Sequence, residues 1–179
     1  MMSWILLLSQ VVFASPVLEG SFVRSCYLVG DDALQAQVQV HSGSWIQTFT
    51  AYEEETCQTP YLIYEVQSAA DIHGNDVDLE VREVSYQSLS DEVTRALNMV
   101  NYCGFTNWKT KQKRVVTGLE CDEFQAPRLG EKTYTRYQLS AKAGSSEQLL
   151  LGTAEGVQDG KTPNTRHHAF ETLPYQRIP

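Results

Sequence analysis

The chain has 179 residues, of which 42% are hydrophobic and 20% are charged, and this length and composition predict one folded domain with its own core. Eleven glycines and six prolines are ordinary numbers, so collagen-like chains and low-complexity disorder are excluded. Acidic side chains outnumber basic ones by 22 to 14, and the resulting net charge of −8 argues against a protein that binds nucleic acid through its phosphates.

The N-terminal segment has the features of an export signal. Trp4 to Leu8 and Val11 to Ala14 are apolar and uncharged, and together they are too short for a membrane span, which needs about 20 residues. An apolar region of this size that ends in small residues is typical of a cleaved secretory signal. We therefore predict a signal peptide over residues 1–14, a mature domain over 15–179, and a secreted or periplasmic protein. A buried N-terminal strand or helix is the alternative.

Four cysteines follow the predicted signal. In an oxidising compartment disulfides persist, and four cysteines allow three pairings. We favour Cys26 with Cys57 and Cys103 with Cys121, because each pair closes a local loop and each cysteine lies near the end of a predicted strand or helix. Neither a C-x-x-C motif nor a Cys/His cluster with finger-like spacing is present, which disfavours zinc. We predict no metal and no cofactor.

Alternation of apolar and polar residues, the period of a half-buried strand, dominates the first half of the mature chain. It predicts strands at Leu34 to His41, Ser44 to Tyr52, Pro60 to Ala69 and Val77 to Tyr86. Ser42-Gly43 predicts a hairpin turn between the first two, and His73-Gly74-Asn75-Asp76 predicts another turn. Within the last strand the alternation changes phase at Arg82-Glu83, which predicts a β-bulge.

A single helix interrupts the strands. Ser90 can cap it, an apolar stripe at helical spacing follows, and Gly104 ends it. Further strands are predicted at Lys113 to Leu119, Thr133 to Lys142, Gln148 to Ala154 and Ala169 to Ile178. Eight or nine short strands indicate a mainly β domain, either a sandwich or a barrel. We favour a single antiparallel up-and-down β-barrel with one short helix near the middle of the chain, because closure removes exposed sheet edges.

Several of these residues fall in a pattern that resembles a known family. The pattern comprises Gly20-Ser21-Phe22 before Cys26, Phe49-x-x-Tyr52 before Cys57, Ala96 to Gly104 with Trp108, Val116-Thr117-Gly118 with Cys121, Tyr134, Leu151 with Gly156, and Arg166 to Tyr175. It resembles the lipocalin-like barrel domain of the adenomatosis-polyposis-coli-down-regulated type, including small exported bacterial relatives. The resemblance implies a barrel that encloses an apolar cavity for a lipid-like ligand, without catalysis.

No catalytic motif is present, since nucleophile elbows, zinc-protease helices, phosphate loops and dinucleotide fingerprints are all missing from the sequence. The four histidines are interpreted as solvated surface residues, and neighbours such as His167 and His168 would point to opposite faces of a strand. Asn75, Asp76, Asp78 and Glu80 could ligate calcium, but the spacing of an EF-hand is absent. We favour a solvated strand face, which explains the charges without an ion. We therefore predict a protein that is not an enzyme.

One basic feature stands out in this acidic chain. Lys109, Lys111 and Lys113 alternate, so a strand there would place all three on one side as a basic surface patch. Such a patch could meet an anionic membrane or an acidic protein partner. The alternative, which we favour, is an edge strand that lysine protects against pairing with another chain.

Aromatic residues on the predicted strands are the candidates for lining a ligand cavity. They are Trp45, Phe49, Tyr52, Tyr64, Tyr134 and Tyr137. A barrel of about eight strands either fills its interior with such side chains or holds one small ligand, and the sequence leaves both open. We predict a monomer that binds an apolar or amphipathic small molecule. The alternative is a secreted or envelope protein-protein interaction module, an inhibitor or a structural protein, with a filled core.

Overall fold

The computed structural model of the protein describes residues 18–140 and 146–179, so the predicted signal peptide lies outside the described residues. The strands are β1 Gly20–Val29, β2 Asp32–His41, β3 Ser44–Tyr52, β4 Pro60–His73, β5 Asp76–Ser88, β6 Lys113–Val115, β7 Glu120–Cys121, β8 Phe124–Gln125, β9 Lys132–Ser140, β10 Gln148–Thr153, β11 Ala169–Phe170 and β12 Tyr175–Ile178. One α-helix, α1 Asp91–Met99, and 3-10 turns at Tyr102–Gly104 and Pro163–Thr165 complete the elements of this part of the chain.

Eight of the strands close into an antiparallel barrel. Their order around the barrel is β1, β2, β3, β4, β5, β9, β10, β12 and back to β1. Neighbours in the barrel are also successive along the chain, apart from the inserted segments that carry β6 to β8 and β11. The predicted fold, a single up-and-down barrel with one short helix, is therefore confirmed.

Tight hairpins close one end of the barrel, which we call the lower end. The β2–β3 turn is made by Ser42 and Gly43, whose φ angles of 49° and 77° match the twist of the strands that they join. The β4–β5 turn lies beside it, around Gly74. The opposite, upper end carries the β1–β2 turn, the β3–β4 connection and α1. The predicted hairpins are both confirmed.

The phase change predicted in β5 is a β-bulge. Gln67 pairs with Glu83, whereas the next residue of β4, Ser68, pairs with Val81, so that Arg82 is the extra residue. The bulge keeps Val81 and Val84 on the same inner face, where they are 6% and 0% exposed. Without it, the upper half of β5 would turn its apolar side chains to solvent.

Residues 89–131 form a cap over the upper half of β5. Ser90 accepts a hydrogen bond from the Val93 amide and so begins α1, as predicted. The helix ends earlier than predicted, at Met99, because Asn101 and Cys103 adopt left-handed conformations. The cap and β5 share a second core, made by Val81, Val84, Tyr86, Leu97, Cys103, Trp108, Val116, Cys121 and Ala126.

Two predicted strands are shorter than expected. The strand expected over 113–119 ends at Val115, because Val116 donates its amide to Val84 and turns its side chain into the second core. The strand expected over 169–178 is divided into β11 and β12 by residues 171–174. That segment contains Pro174, which has no amide hydrogen for a strand ladder. As a result, β12 pairs with β1 only over residues 21–23.

Both predicted disulfides are present in the structure. Cys26 of β1 is bonded to Cys57 of the β3–β4 connection with a Cα–Cα distance of 5.8 Å, and Cys103 is bonded to Cys121 with a distance of 4.0 Å. The first bond fastens the upper end of the barrel, and the second holds the cap. Two disulfides in a chain of this size are typical of an extracellular or otherwise oxidising compartment.

Candidate binding site at the upper end of the barrel

The lower part of the barrel interior is packed with side chains. Phe22, Trp45 and Leu149 are 0%, 1% and 0% exposed and face inward from three separated strands. Val38 and Val77, each 0% exposed, lie between them. This region is a conventional hydrophobic core, and it holds one polar atom, the Trp45 indole nitrogen, that has no hydrogen-bond partner among the described residues.

The upper part of the interior on β1 to β4 is different, because its inward-facing side chains are still partly exposed. The register of the strands places these side chains on the same inward face as the core residues lower in the barrel. They are Tyr27, Leu34, Gln47, Phe49, Leu62, Tyr64 and Val66, and we call this set the mouth. The cap covers the β5 side of the upper end, and Leu62, Tyr64 and Val66 of the mouth pack against the core that the cap shares with β5.

Aromatic rings connect the mouth to the cap. The ring of Tyr64 lies 6.1 Å from that of Phe49, 4.9 Å from that of Tyr86 and 5.7 Å from that of Phe124. Phe124 is 41% exposed and comes from the β7–β8 hairpin, so it forms part of the rim. Burial raises the pKa of the Tyr64 hydroxyl to about 12, and the mouth therefore presents a neutral aromatic surface at ordinary pH.

An arginine faces inward at the edge of this aromatic surface. The side chain of Arg24 is 9% exposed, and a terminal nitrogen donates to the carboxylate of Glu171. Its guanidinium lies 4.1 Å from the ring of Tyr175 and 5.3 Å from the ring of Tyr27. Burial alone would lower the pKa of Arg24, but the Glu171 carboxylate and the two tyrosines raise it, so the group stays charged.

Two polar atoms, one within this ion pair and one beside it, lack a hydrogen-bond partner of good geometry in the described part of the chain. They are Nε of Arg24 and the hydroxyl of Tyr175. The Tyr175 side chain is fully buried, and Gln47 of the mouth is the polar side chain that adjoins its hydroxyl. Burial, together with the charge of Glu171, raises the pKa of Tyr175, so the hydroxyl keeps its proton. Buried groups of this kind normally have a partner.

A surface concavity of about 330 Å³ leads to the arginine from the side of the barrel. It exists because β12 begins only at Tyr175, so the wall above that level is made by the irregular segment between β11 and β12. Its lining residues are Arg24, Thr153, Phe170, Glu171, Thr172 and Leu173, and we call it the side opening. The lining thus combines one charged pair with two threonines and with two apolar side chains, Phe170 and Leu173.

The structure brings together only some of the predicted cavity residues. Phe49 and Tyr64 line the mouth, whereas Trp45 and Tyr137 also face inward but are 1% and 4% exposed in the packed core. Tyr52 and Tyr134 lie on the outer face and line no interior. The hydroxyl of Tyr52 donates to Gln35 at 3.3 Å, and the ring of Tyr134 lies 5.5 Å from the Arg166 guanidinium. The sequence prediction grouped aromatic residues without separating the two faces of each strand.

The predicted lysine patch does not form on one strand face. Lys109 and Lys111 precede β6, and Lys111 has a φ of 60°, so only Lys113 belongs to a strand. All three side chains are exposed, and Lys113 pairs with Glu65 of β4 at 2.6 Å. Since β6 ends the path of paired strands, its lysine occupies an edge, in agreement with the edge-strand interpretation.

The acidic residues at the start of β5 form ion pairs with basic side chains. Asp76 pairs with Arg136 at 2.8 Å and with Arg166 at 3.3 Å, and Asp78 pairs with Arg166 at 2.7 Å. Arg166 also donates to the carbonyls of Val77 and Thr135, so it fastens the loop before β11 to the barrel wall. The described residues contain no group of three metal-binding side chains.

Three of the four histidines lie at the surface as expected, and one does not. His41 and His73 have side chains that are 86% and 72% exposed, and His168 is also exposed. His167 is partly buried, because its ring packs under Gly160 and its Nδ1 lies 3.1 Å from the Thr135 hydroxyl. Its role is to hold the loop and not to face solvent.

Sequence reasoning missed Arg24, Gln47, Phe124, Glu171 and Tyr175. A signal for Arg24 was present, since it follows Phe22 by two positions and therefore shares its inward face. The sequence pattern predicts no strand over these residues, so it does not show which face Arg24 occupies. Glu171 and Arg24 lie 147 positions apart, and their pairing depends on barrel closure.

No protein-family model matches the chain, and no curated protein matches its sequence. The resemblance to the adenomatosis-polyposis-coli-down-regulated type therefore stays a prediction. Within the described residues, none of the helices is both long and apolar enough to cross a membrane.

Proposed function

We propose that this protein is an exported, non-enzymatic binding protein that holds a lipid-like or other apolar small molecule at the mouth of its barrel. The observation that carries the proposal is the partial exposure of the mouth. Its inward-facing aromatic and aliphatic side chains are partly exposed, whereas Phe22, Trp45 and Leu149 of the lower interior are 0%, 1% and 0% exposed. A concave apolar surface with few polar groups is the usual form of a small-molecule site.

The packed core limits where this ligand lies. Because Phe22, Trp45 and Leu149 fill the lower interior, the ligand occupies only the upper half, between the mouth and the cap. A short or compact apolar group fits this position better than a long chain that would have to thread the whole barrel. The two disulfides support export, because an oxidising compartment is where such bonds persist.

Binding of the neutral apolar dye diphenylhexatriene tests the proposal, since its fluorescence rises when it leaves water. We expect saturable binding to the oxidised full chain. Phe49→Gln should weaken it about tenfold, because the ring contributes roughly 1–2 kcal/mol of apolar contact. Thr48→Gln is the matched control: Thr48 is the neighbouring residue on the outer face of the same strand, and its substitution should leave binding unchanged.

Two results would contradict this function. One is that the wild-type protein does not bind the dye, or binds it without saturation. The other is that Phe49→Gln and Thr48→Gln have equal effects, which would place the bound dye elsewhere on the surface. Circular dichroism of each variant shows whether the barrel is intact.

A protein-protein interaction module is the second candidate function, and one surface favours it. Leu28 and Val29, at the tip of the β1–β2 hairpin, are 54% and 53% exposed, although both are large and apolar. Adjacent apolar side chains at an exposed hairpin are a common feature of protein interfaces. Native mass spectrometry of protein purified from its own host separates the two functions: a bound small molecule supports the first, and a bound protein that Leu28→Ser releases supports the second.

A further inference from the structure

The ion pair between Arg24 and Glu171 lies where the mouth and the side opening meet. Arg24 faces inward beside Tyr27, a mouth residue, and it also lines the side opening together with Phe170 and Leu173. The guanidinium therefore has a mouth residue, Tyr27, on one side and the side opening on the other.

The guanidinium has more hydrogen-bonding capacity than the structure uses. Arg24 donates to Glu171 through a terminal nitrogen, while its Nε has no partner among the described residues. The Tyr175 hydroxyl nearby also lacks a partner of good geometry in that part of the chain. The Nε of Arg24 can only donate, so the group that completes this site is a hydrogen-bond acceptor.

Glu171 lies where another anion can replace its carboxylate on Arg24. It belongs to the irregular segment between β11 and β12, and its side chain is 29% exposed, against 9% for Arg24. A turn of the side chain toward solvent would hydrate its carboxylate, whereas the arginine has no such route. An anion from outside could then occupy the same position with no net change in the charge at the site.

We propose that the site takes an amphipathic carboxylate, whose head binds Arg24 in place of Glu171 and whose apolar part lies against the mouth. The proposal rests on the function proposed above and adds the chemical class of the ligand. Glu171 then acts as an internal stand-in for the ligand head, so it keeps the buried arginine neutralised when the site is empty and competes with the ligand for it. An ionised carboxylate can bind the guanidinium through two parallel bonds, which the lone contact of Glu171 does not.

Three probes of equal chain length test the headgroup: decanoate, 1-decanol and decyltrimethylammonium. Each is titrated at pH 8 against the oxidised full chain loaded with diphenylhexatriene, and dye displacement is measured. We expect decanoate to displace the dye at the lowest concentration and the cation at the highest. Arg24→Met should weaken decanoate roughly 10- to 100-fold, the range for charge-assisted hydrogen bonds.

Glu171→Gln is the decisive variant, because we expect it to act in the opposite direction. Removal of the competing carboxylate should strengthen decanoate binding by about tenfold and leave decanol unchanged. The controls are Arg177→Met and Glu147→Gln, since these residues form a comparable ion pair at the lower end, with distances of 2.7 and 2.6 Å. Glu147→Gln changes the net charge equally and should have no effect on decanoate.

The outcomes separate this inference from the proposed function. If the dye does not bind at all, both fail. If the dye binds but decanol and decanoate displace it equally, or if Glu171→Gln weakens decanoate, the carboxylate site is refuted and the apolar binding function stands. Should Glu171→Gln not fold, Arg24→Met still decides: unchanged decanoate binding by that variant refutes the carboxylate site.

Discussion

The buried ion pair of Arg24 and Glu171 predicts an unequal response of stability to the loss of each partner. Glu171→Gln leaves a positive charge on a side chain that is only 9% exposed. Arg24→Met instead leaves a negative charge on a side chain that is 29% exposed and lies on a surface segment. The first substitution should therefore destabilise the protein more than the second, although both remove the same interaction.

The size of the difference follows from the environment of each group. An uncompensated buried charge costs about 3–5 kcal/mol, and the two tyrosine rings beside Arg24 offset about 1 kcal/mol of this. We expect Glu171→Gln to lower the free energy of unfolding by about 2–4 kcal/mol. Arg24→Met should change it by less than about 1 kcal/mol, because methionine fills most of the volume and Glu171 can turn into water.

Urea unfolding followed by circular dichroism, with both disulfides intact, measures these values. A loss of about 2–4 kcal/mol corresponds to a shift of the midpoint by roughly 1–2 M urea. The double variant should be no less stable than Glu171→Gln alone, because its second substitution removes the unpaired charge.

Equal losses for the two single variants would refute this reasoning, since they would show that Arg24 is as well hydrated as Glu171. A double variant with the summed losses of both singles would also refute it, because the two side chains would then act independently.

Three further predictions concern the core, the cap and the tyrosines. Replacement of Cys103 and Cys121 by serine should lower the free energy of unfolding by about 3 kcal/mol. This is the contribution expected from the entropy that a bond between residues 18 positions apart removes from the unfolded chain. Calorimetry of the variant measures the loss. Trp45→Ala should cost about 3–5 kcal/mol in urea unfolding because the side chain is 1% exposed. Trp45→Phe should cost less, since the phenyl ring fills much of the space that alanine would leave empty. Burial raises the pKa of Tyr64 from 10.0 to about 12, and it raises the pKa of Tyr86 as well. Because the unfolded chain then loses these protons at a lower pH than the folded protein, the free energy of unfolding should fall as pH rises from about 10 toward about 12. Urea unfolding at a series of alkaline pH values measures this fall.

The local sequence pattern was sufficient to predict much of the fold. Period-two alternation predicted β2 to β5, Ser42-Gly43 predicted a hairpin, and the phase change at Arg82 predicted the bulge. Each of these depends on residues that are neighbours along the chain, so the sequence carries the signal directly. The cysteine pairing was also predictable, because each bond closes a loop of modest length.

The candidate site was less predictable, because its members come from distant strands. Trp45 and Phe49 have the same phase on β3, yet Trp45 is fully buried and Phe49 lines the mouth. Alternation shows which face of the strand a side chain occupies. It does not show whether the opposite wall of the barrel or the cap packs against that side chain.

By itself the sequence determined an acidic, disulfide-bonded, mainly β chain with strands of defined phase. Only the tertiary structure decided which inward-facing residues are core and which form a mouth, and only it placed Glu171 on Arg24, 147 positions away. The physical reason is that strand phase is a property of adjacent residues, whereas closure brings β12 to β1 and thereby creates the short last strand, the side opening and the buried ion pair.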